Sequence, residues 1–232
     1  MLFFAVGLRT PLLALLALRR AKNLALVVLP YGAGLLIVGA FGPMVSDADR
    51  VGLAAVAIAP ALLAAPSLPG VRMDRAGALL VGTIGMWWVL SLVRGGFGPA
   101  QNAMLAFIVG AGITSAVPML PEIVRTVVRR IGDAAFIVLV AIAVMGVTAF
   151  DVTNVLVAIA LFVAIVGAAL VAARIGGVDI PSALAGGGSR DPAVATALAV
   201  AAGGSTAIPL YSGILLLALS AALAVRNRRK PR

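Results

Sequence analysis

The chain has 232 residues, 62% of them hydrophobic and 11% charged, with a mean hydropathy of +1.16 and a formal net charge of +10. Soluble domains carry about 25% charged residues, so this composition excludes an ordinary globular domain and predicts an all-α polytopic membrane protein. Cysteine and histidine are both absent, which excludes a disulfide framework, zinc or haem ligation through those residues, and any catalytic triad that uses either.

Met1–Leu8 is a short apolar stub that runs into Arg9. Leu12–Leu18 is too short to span and, with Arg19, Arg20 and Lys22 behind it, reads as interfacial. Arg9 interrupts the stretch and no small-residue cleavage site follows, so no signal peptide is expected. Leu24–Phe41 predicts a span with Pro30 inside it. Val51–Leu68 carries Pro60 and Pro66 and runs into Pro69, which predicts a bent or broken helix. Ala76–Val93 holds Trp87 and Trp88, read as packing or lipid-facing. Ala103–Val124 has Pro118 and Pro121 late in it. Ala134–Phe150 and Val152–Ala173 predict continuous spans. Ile180–Gly203 is interrupted by a triple glycine, expected to be flexible, and by Arg190-Asp191-Pro192. Ile208–Val225 is the last span, closed by a basic tail. Eight or nine helices fit this pattern.

The loop charges alternate. Arg9, Arg19, Arg20, Lys22, Arg72, Arg75, Arg125, Arg129, Arg130, Arg174 and the tail's Arg226, Arg228, Arg229, Lys230 and Arg232 fall in one set of loops. Only Arg50 and Arg94 fall in the other. This is the positive-inside pattern rather than a nucleic-acid interface. It predicts a multi-pass cell-membrane protein with its C-terminus in the cytoplasm and its N-terminus outside. The interrupted spans, Val51–Leu68 and Ile180–Gly203, are each followed by one last span. They predict two halves of opposite orientation: 1–94, short of its opening helix, and 95–232 with the cytoplasmic tail. Paired broken helices in inverted halves point to a secondary transporter.

The apolar helix from Pro192 to Ala202 is about 16 Å long, against a bilayer core of about 30 Å. It is therefore a half-helix. An ionisable residue at membrane depth is expensive and functional by default, so Arg190 is read as binding an anionic head group or replacing a cation. Asp191 is read as capping the half-helix, with Pro192 in its first turn, or as titrating to carry a proton. The competing reading is an Arg-Asp pair in a cytoplasmic loop. At the partner break, Pro66 frees backbone carbonyls and Ser67 is the nearest hydroxyl; the competing reading is a kinked helix and a Pro-Gly turn. Thr114 and Ser115 are hydroxyls within a span and candidates for the site, although such groups mostly bond back to the backbone. Glu122, Arg125 and Arg129 predict a salt-bridged interfacial face. Asn154, Ser205 and Thr206 are weaker candidates.

Three stretches carry a family resemblance. Met1–Thr10, MLFFAVGLRT, resembles the "LMFGMGL" end of a second helix. Val51–Pro60, VGLAAVAIAP, resembles a "VGLILLGAAPG" entry into a first crossing helix. Ser189–Ala201, SRDPAVATALAVA, resembles a second crossing helix of the form G-x-x-N-x-x-L-A-x-A-L-A. In this order they are similar to the bile acid:sodium symporter superfamily. The resemblance implies a ten-helix inverted-repeat transporter with a panel and a core domain, of which this chain begins at the second helix. It also implies two broken helices crossing near the midplane, at residues 60–69 and 186–192, and Ser189 and Thr83 near the site. The family's sodium ligands are largely replaced. Ala65 and Pro66 stand for a Ser-Asn pair, and Gly186 and Arg190 stand for Glu and Gln, while Thr83 is kept. The resulting expectation is a secondary active transporter of a small organic anion, without the usual sodium site. Its partners are the lipid bilayer and the anion, with no cofactor beyond a coupling sodium ion or proton. The alternatives are a non-transporting or degenerate membrane partner of the same fold, and an arsenite- or auxin-type permease. No metal site and no enzyme active site are expected.

Overall fold

A computed structural model gives the structure of the protein and describes residues 21–61, 84–86, 89, 99–116, 122–147 and 150–228. Among these residues every regular element is helical. Helix α1 (Ala21–Phe41) continues through Pro30 and is followed by a 3₁₀ turn, Gly42–Met44. Helix α2 (Asp47–Ile58) starts from a reciprocal cap. The Ser46 hydroxyl accepts from the Asp49 N–H at 3.2 Å and donates to the Asp49 carboxylate at 2.6 Å. It stops at Ala59, which is extended because Pro60 disfavours a helical residue before it.

Helices α3 (Pro99–Ala116) and α4 (Glu122–Met145) differ from the expected spans Ala103–Val124 and Ala134–Phe150. The described helices cover Pro99–Ala116 and Glu122–Met145, and Pro118 and Pro121 fall between them, outside the described residues. The basic stretch Arg125–Arg130, expected in a loop, is therefore part of α4.

Helix α5 (Val152–Gly176) has both ends sealed. Asp151 accepts from the Thr153 N–H at 2.8 Å, and Gly177 closes it at φ 61°. Short α6 (Ile180–Ala183) is capped by Asp179 and runs into a π turn, Leu184–Gly188. The chain then leaves the helix and resumes as α7 (Pro192–Ala201). That helix ends one residue short of the expectation, closed by Gly203 at φ 70° and a Gly204 N–H bond to Ala199 at 2.7 Å. Helix α8 (Ala207–Arg228) follows.

Helix α1 lies along α5. Their shared core divides into two clusters. One joins Leu53, Val56 and Ala57 of α2 to Val157, Leu161 and Ile165 of α5, with Ala195 and Ile208. The other joins Leu26, Val27 and Tyr31 of α1 to Ala172, Ala173 and Ala183. Small residues at these seams let the helix backbones approach closely.

Among the described residues two helical stretches, Leu24–Met44 and Val152–Gly176, are long and apolar enough to cross a membrane, with mean hydropathies of 2.2 and 3.0. Only 28% and 33% of their most apolar windows are buried inside the protein. Leu36, Leu156, Val163 and Leu217 instead point outward.

The fold positions its break by pairing two half-length helices. The Ser205 N–H donates to the Ala48 carbonyl at 2.8 Å, and the Asp191 N–H donates to the Pro60 carbonyl at 2.9 Å. The start of α2 thus meets the end of α7, and the end of α2 meets the start of α7. The two run antiparallel, at about 18 Å and 15 Å by helical rise.

Candidate functional site

The polar break between the π turn and α7 is buried. Ser189 and Asp191 are almost fully enclosed, and Arg190 is 6% exposed. An Arg-Asp pair in a solvated loop is therefore excluded. Asp191 caps α7 as its sequence implies: one carboxylate oxygen accepts from the Ala193 and Val194 N–H groups, both at 3.0 Å, with Pro192 in the first turn. The Ser189 hydroxyl donates to the Ala185 carbonyl at 2.7 Å.

The triple glycine is not a flexible hinge. Gly186, Gly187 and Gly188 form a buried part of the π turn. A Cβ on Gly187 would sit 2.5 Å from the Leu26 carbonyl of α1, and one on Gly188 would crowd Leu184 and Ala169. These glycines permit backbone contact with the neighbouring helices, and that contact brings Arg190 against α1.

Arg190 is held on two sides. Its guanidinium carbon lies 4.1 Å from the centroid of the Tyr31 ring, so the aromatic face covers one face of the cation. Tyr31 is oriented by its own hydroxyl, which donates to the Ala59 carbonyl at 3.0 Å. Nη1 donates to the carbonyls of Gly187 and Ser189 at 3.3 and 3.2 Å. Nε and Nη2 are buried and have no hydrogen-bond partner among the described residues.

Arg190 also lines a narrow cleft bounded by Val56, Leu161, Phe162, Ile165, Gly188, Ser212 and Leu216. The cleft, about 260 Å³ counting its open mouth, has room for about one water. The Ser212 hydroxyl is buried in the same lining and is likewise without a partner among the described residues. A guanidinium enclosed mainly by aliphatic side chains is costly unless its donors are met. The arrangement can accept a small anionic group.

Pro66, Ser67 and Thr83 lie outside the described residues, as does all of Val51–Leu68 beyond Ala61. Thr114 falls on α3. Ser115, also on α3, donates to the Ala111 carbonyl one turn back at 2.8 Å, the local bond its place in a helix favours. Thr206 donates to the Ala143 carbonyl at 3.0 Å, and the Ser205 hydroxyl accepts from the Ala207 N–H at 3.1 Å. The first ties the segment after α7 to α4, and the second is a local bond at the start of α8. Burial pushes the Asp49 carboxyl up, but hydrogen bonding from Ser46, Ser205 and Asn154 outweighs it and holds the group below its ordinary value. Tyr31 and Ser212 were not singled out in the sequence. The available signal was a hydroxyl-bearing side chain inside an apolar run, present at both positions.

No family model, no curated protein and no solved structure matches the chain.

Proposed function

We propose that this chain is a secondary active transporter of a small organic anion, embedded in the cell membrane as a multi-pass protein with its C-terminus in the cytoplasm. Its architecture is read as inverted halves, 1–94 and 95–232, of the bile acid:sodium symporter kind. The observation that carries this reading is Arg190. It is a buried cation at the junction of two half-length helices, held by a ring and two carbonyls, with two donors that have no hydrogen-bond partner among the described residues. The outward apolar faces of α1 and α5 support a lipid setting, where such a charge is retained only for a use. The anion would sit at the start of α7, where the helix dipole also favours negative charge. Alternating access would move the walls of the cleft apart around the contact between Pro60 and Asp191. Coupling would run through a proton at Asp191 or through sodium.

The test is uptake of a panel of organic anions by proteoliposomes holding the full chain, with and without sodium and pH gradients. Uptake of at least one anion is expected, and Arg190→Ala is expected to abolish it while insertion is unchanged. Wild-type uptake by that variant would overturn the reading. The small size of the cleft favours one second reading, a non-transporting membrane partner of the same fold. That reading predicts no flux of any anion and co-purification with another integral membrane protein.

A further inference from the structure

We infer that Tyr31 is a latch. Its two contacts hold α1 against the ends of the half-helix pair and keep the cleft at Arg190 closed, and their release opens it to the transported anion. The inference rests on the anion-transport reading of the same site and adds the element that must move. The cleft has room for about one water, too little for any organic anion. The site is therefore shut in this structure, and its walls must part before a ligand enters.

The contacts at the break converge on two consecutive residues. Ala59 and Pro60 follow the end of α2. The Ala59 carbonyl accepts from the Tyr31 hydroxyl at 3.0 Å, and the Pro60 carbonyl accepts from the Asp191 N–H at 2.9 Å. The residue before Asp191 is Arg190, whose guanidinium carbon lies 4.1 Å from the Tyr31 ring centroid. Tyr31 thus touches both sides of the junction at once, with its hydroxyl on the α2 side and its ring on the α7 side. Arg190 is itself fixed to the break, because Nη1 donates to the Gly187 and Ser189 carbonyls. The guanidinium therefore moves with the break, and the Tyr31 ring ties that unit to α1. Tyr31 and Arg190 are both buried, and a ring–cation contact is strongest where water is excluded.

The Gly187 backbone also meets α1, just over a turn before Tyr31, since a Cβ there would lie 2.5 Å from the Leu26 carbonyl. That packing sets how close α1 can come; the hydroxyl bond and the ring–cation contact hold it there. The far end of the half-helix pair is tied by other bonds. The Ser205 N–H donates to the Ala48 carbonyl, and the Thr206 hydroxyl donates to the Ala143 carbonyl of α4. Neither involves α1. Release at Tyr31 thus lets one end of the pair part while the other stays tied.

The test exploits a chain that contains no cysteine, so that a single introduced thiol reports its own exposure. Ser212 lines the cleft and its hydroxyl is buried. Thr206 is buried beyond the far end of α7. Ser212→Cys and Thr206→Cys are each reacted with 2-sulfonatoethyl methanethiosulfonate in the full chain in detergent. The rate is taken where it stays proportional to reagent and so reads the open fraction. Tyr31→Phe keeps the ring and loses the hydroxyl bond, and is expected to speed labelling at position 212 about fivefold. Tyr31→Leu loses both contacts and is expected to speed it about 100-fold. Labelling at position 206 is expected to stay at its original rate in both, whereas a general loosening would expose both positions. Tyr31→Phe keeps the test open if the leucine variant fails to fold. Equal acceleration at 206 and 212, or none at 212, would overturn the latch.

Anion uptake by the wild-type chain in proteoliposomes decides the underlying reading separately. Labelling indifferent to Tyr31 in a chain that transports overturns the latch and leaves the transporter standing. Tyr31-dependent labelling at 212 in a chain that carries no anion upholds the latch and ends the transport reading.

Discussion

Arg50 and Arg190 each stand beside aspartate in the sequence, yet their surroundings are opposite. Arg50 is on the exposed first turn of α2. Its Nη2 lies 2.7 Å from the Asp47 carboxylate, with the two side chains 54% and 92% exposed. Such a pair in water contributes little. Arg190 is 6% exposed and packs on Tyr31, and its neighbour Asp191 is turned to the helix that follows. Burial, not the adjacency of opposite charges, decides which partners an arginine meets.

The sharpest way to break this contrast is to remove each arginine in turn. Arg190→Ala is expected to abolish anion uptake, whereas Arg50→Ala leaves uptake at the wild-type rate; equal losses would show that the contrast has no functional content. Gly187→Ala comes next. Its Cβ would meet the Leu26 carbonyl at 2.5 Å, a backbone atom that cannot swing aside. The expected cost is about 3 kcal/mol, read as a lowered unfolding midpoint in detergent, together with weakened anion binding as α1 and Tyr31 are pushed away.

Asp191→Ala removes a cap that serves two N–H groups and is expected to cost about 1 kcal/mol. Asp191→Asn retains an acceptor and should cost less. A larger loss in the asparagine variant would mean that the charge, not the cap, is the structural contribution.

At the far end of the half-helix pair, the Asp49 carboxyl is held below its ordinary value of 3.8. A depressed carboxylate adds stability above its unfolded pKa and loses it as pH falls through the lower, folded value. Ser46→Ala is expected to cost about 1 kcal/mol at neutral pH through the lost cap. It should also shrink the acid-induced loss below pH ~4, measured as the unfolding midpoint across an acid titration. The smallest effect is on the surface: Arg50→Ala should change stability by less than about 0.5 kcal/mol at moderate salt.

Local features were legible in advance. Asp191 followed by proline predicts a cap and a first turn because both involve only the next few residues, and α7 begins there. The α5 span was read to within a few residues because nothing interrupts its apolar run. The region from 103 to 150 was misdivided. Its hydropathy is nearly continuous, and hydropathy alone does not show that Glu122–Met145 is one helix. The triple glycine was read as flexible because glycine allows flexibility in an isolated chain. Here the same missing side chain serves close packing against Leu26 and Ala169, a use that depends on which helix lies alongside.

By itself the sequence determined a helical, strongly apolar chain, the place where its late helix breaks, and the charged residues at that break. These follow from hydropathy, proline sterics and capping, which act over a few residues. The tertiary structure alone decided that Tyr31 covers Arg190, that Pro60 receives the Asp191 N–H, and that Ser212 shares the cleft. Those contacts join α1, α2, α7 and α8 across long stretches of chain. They arise because small residues let helix backbones close on one another, and nothing in the local sequence names the partner that will be met.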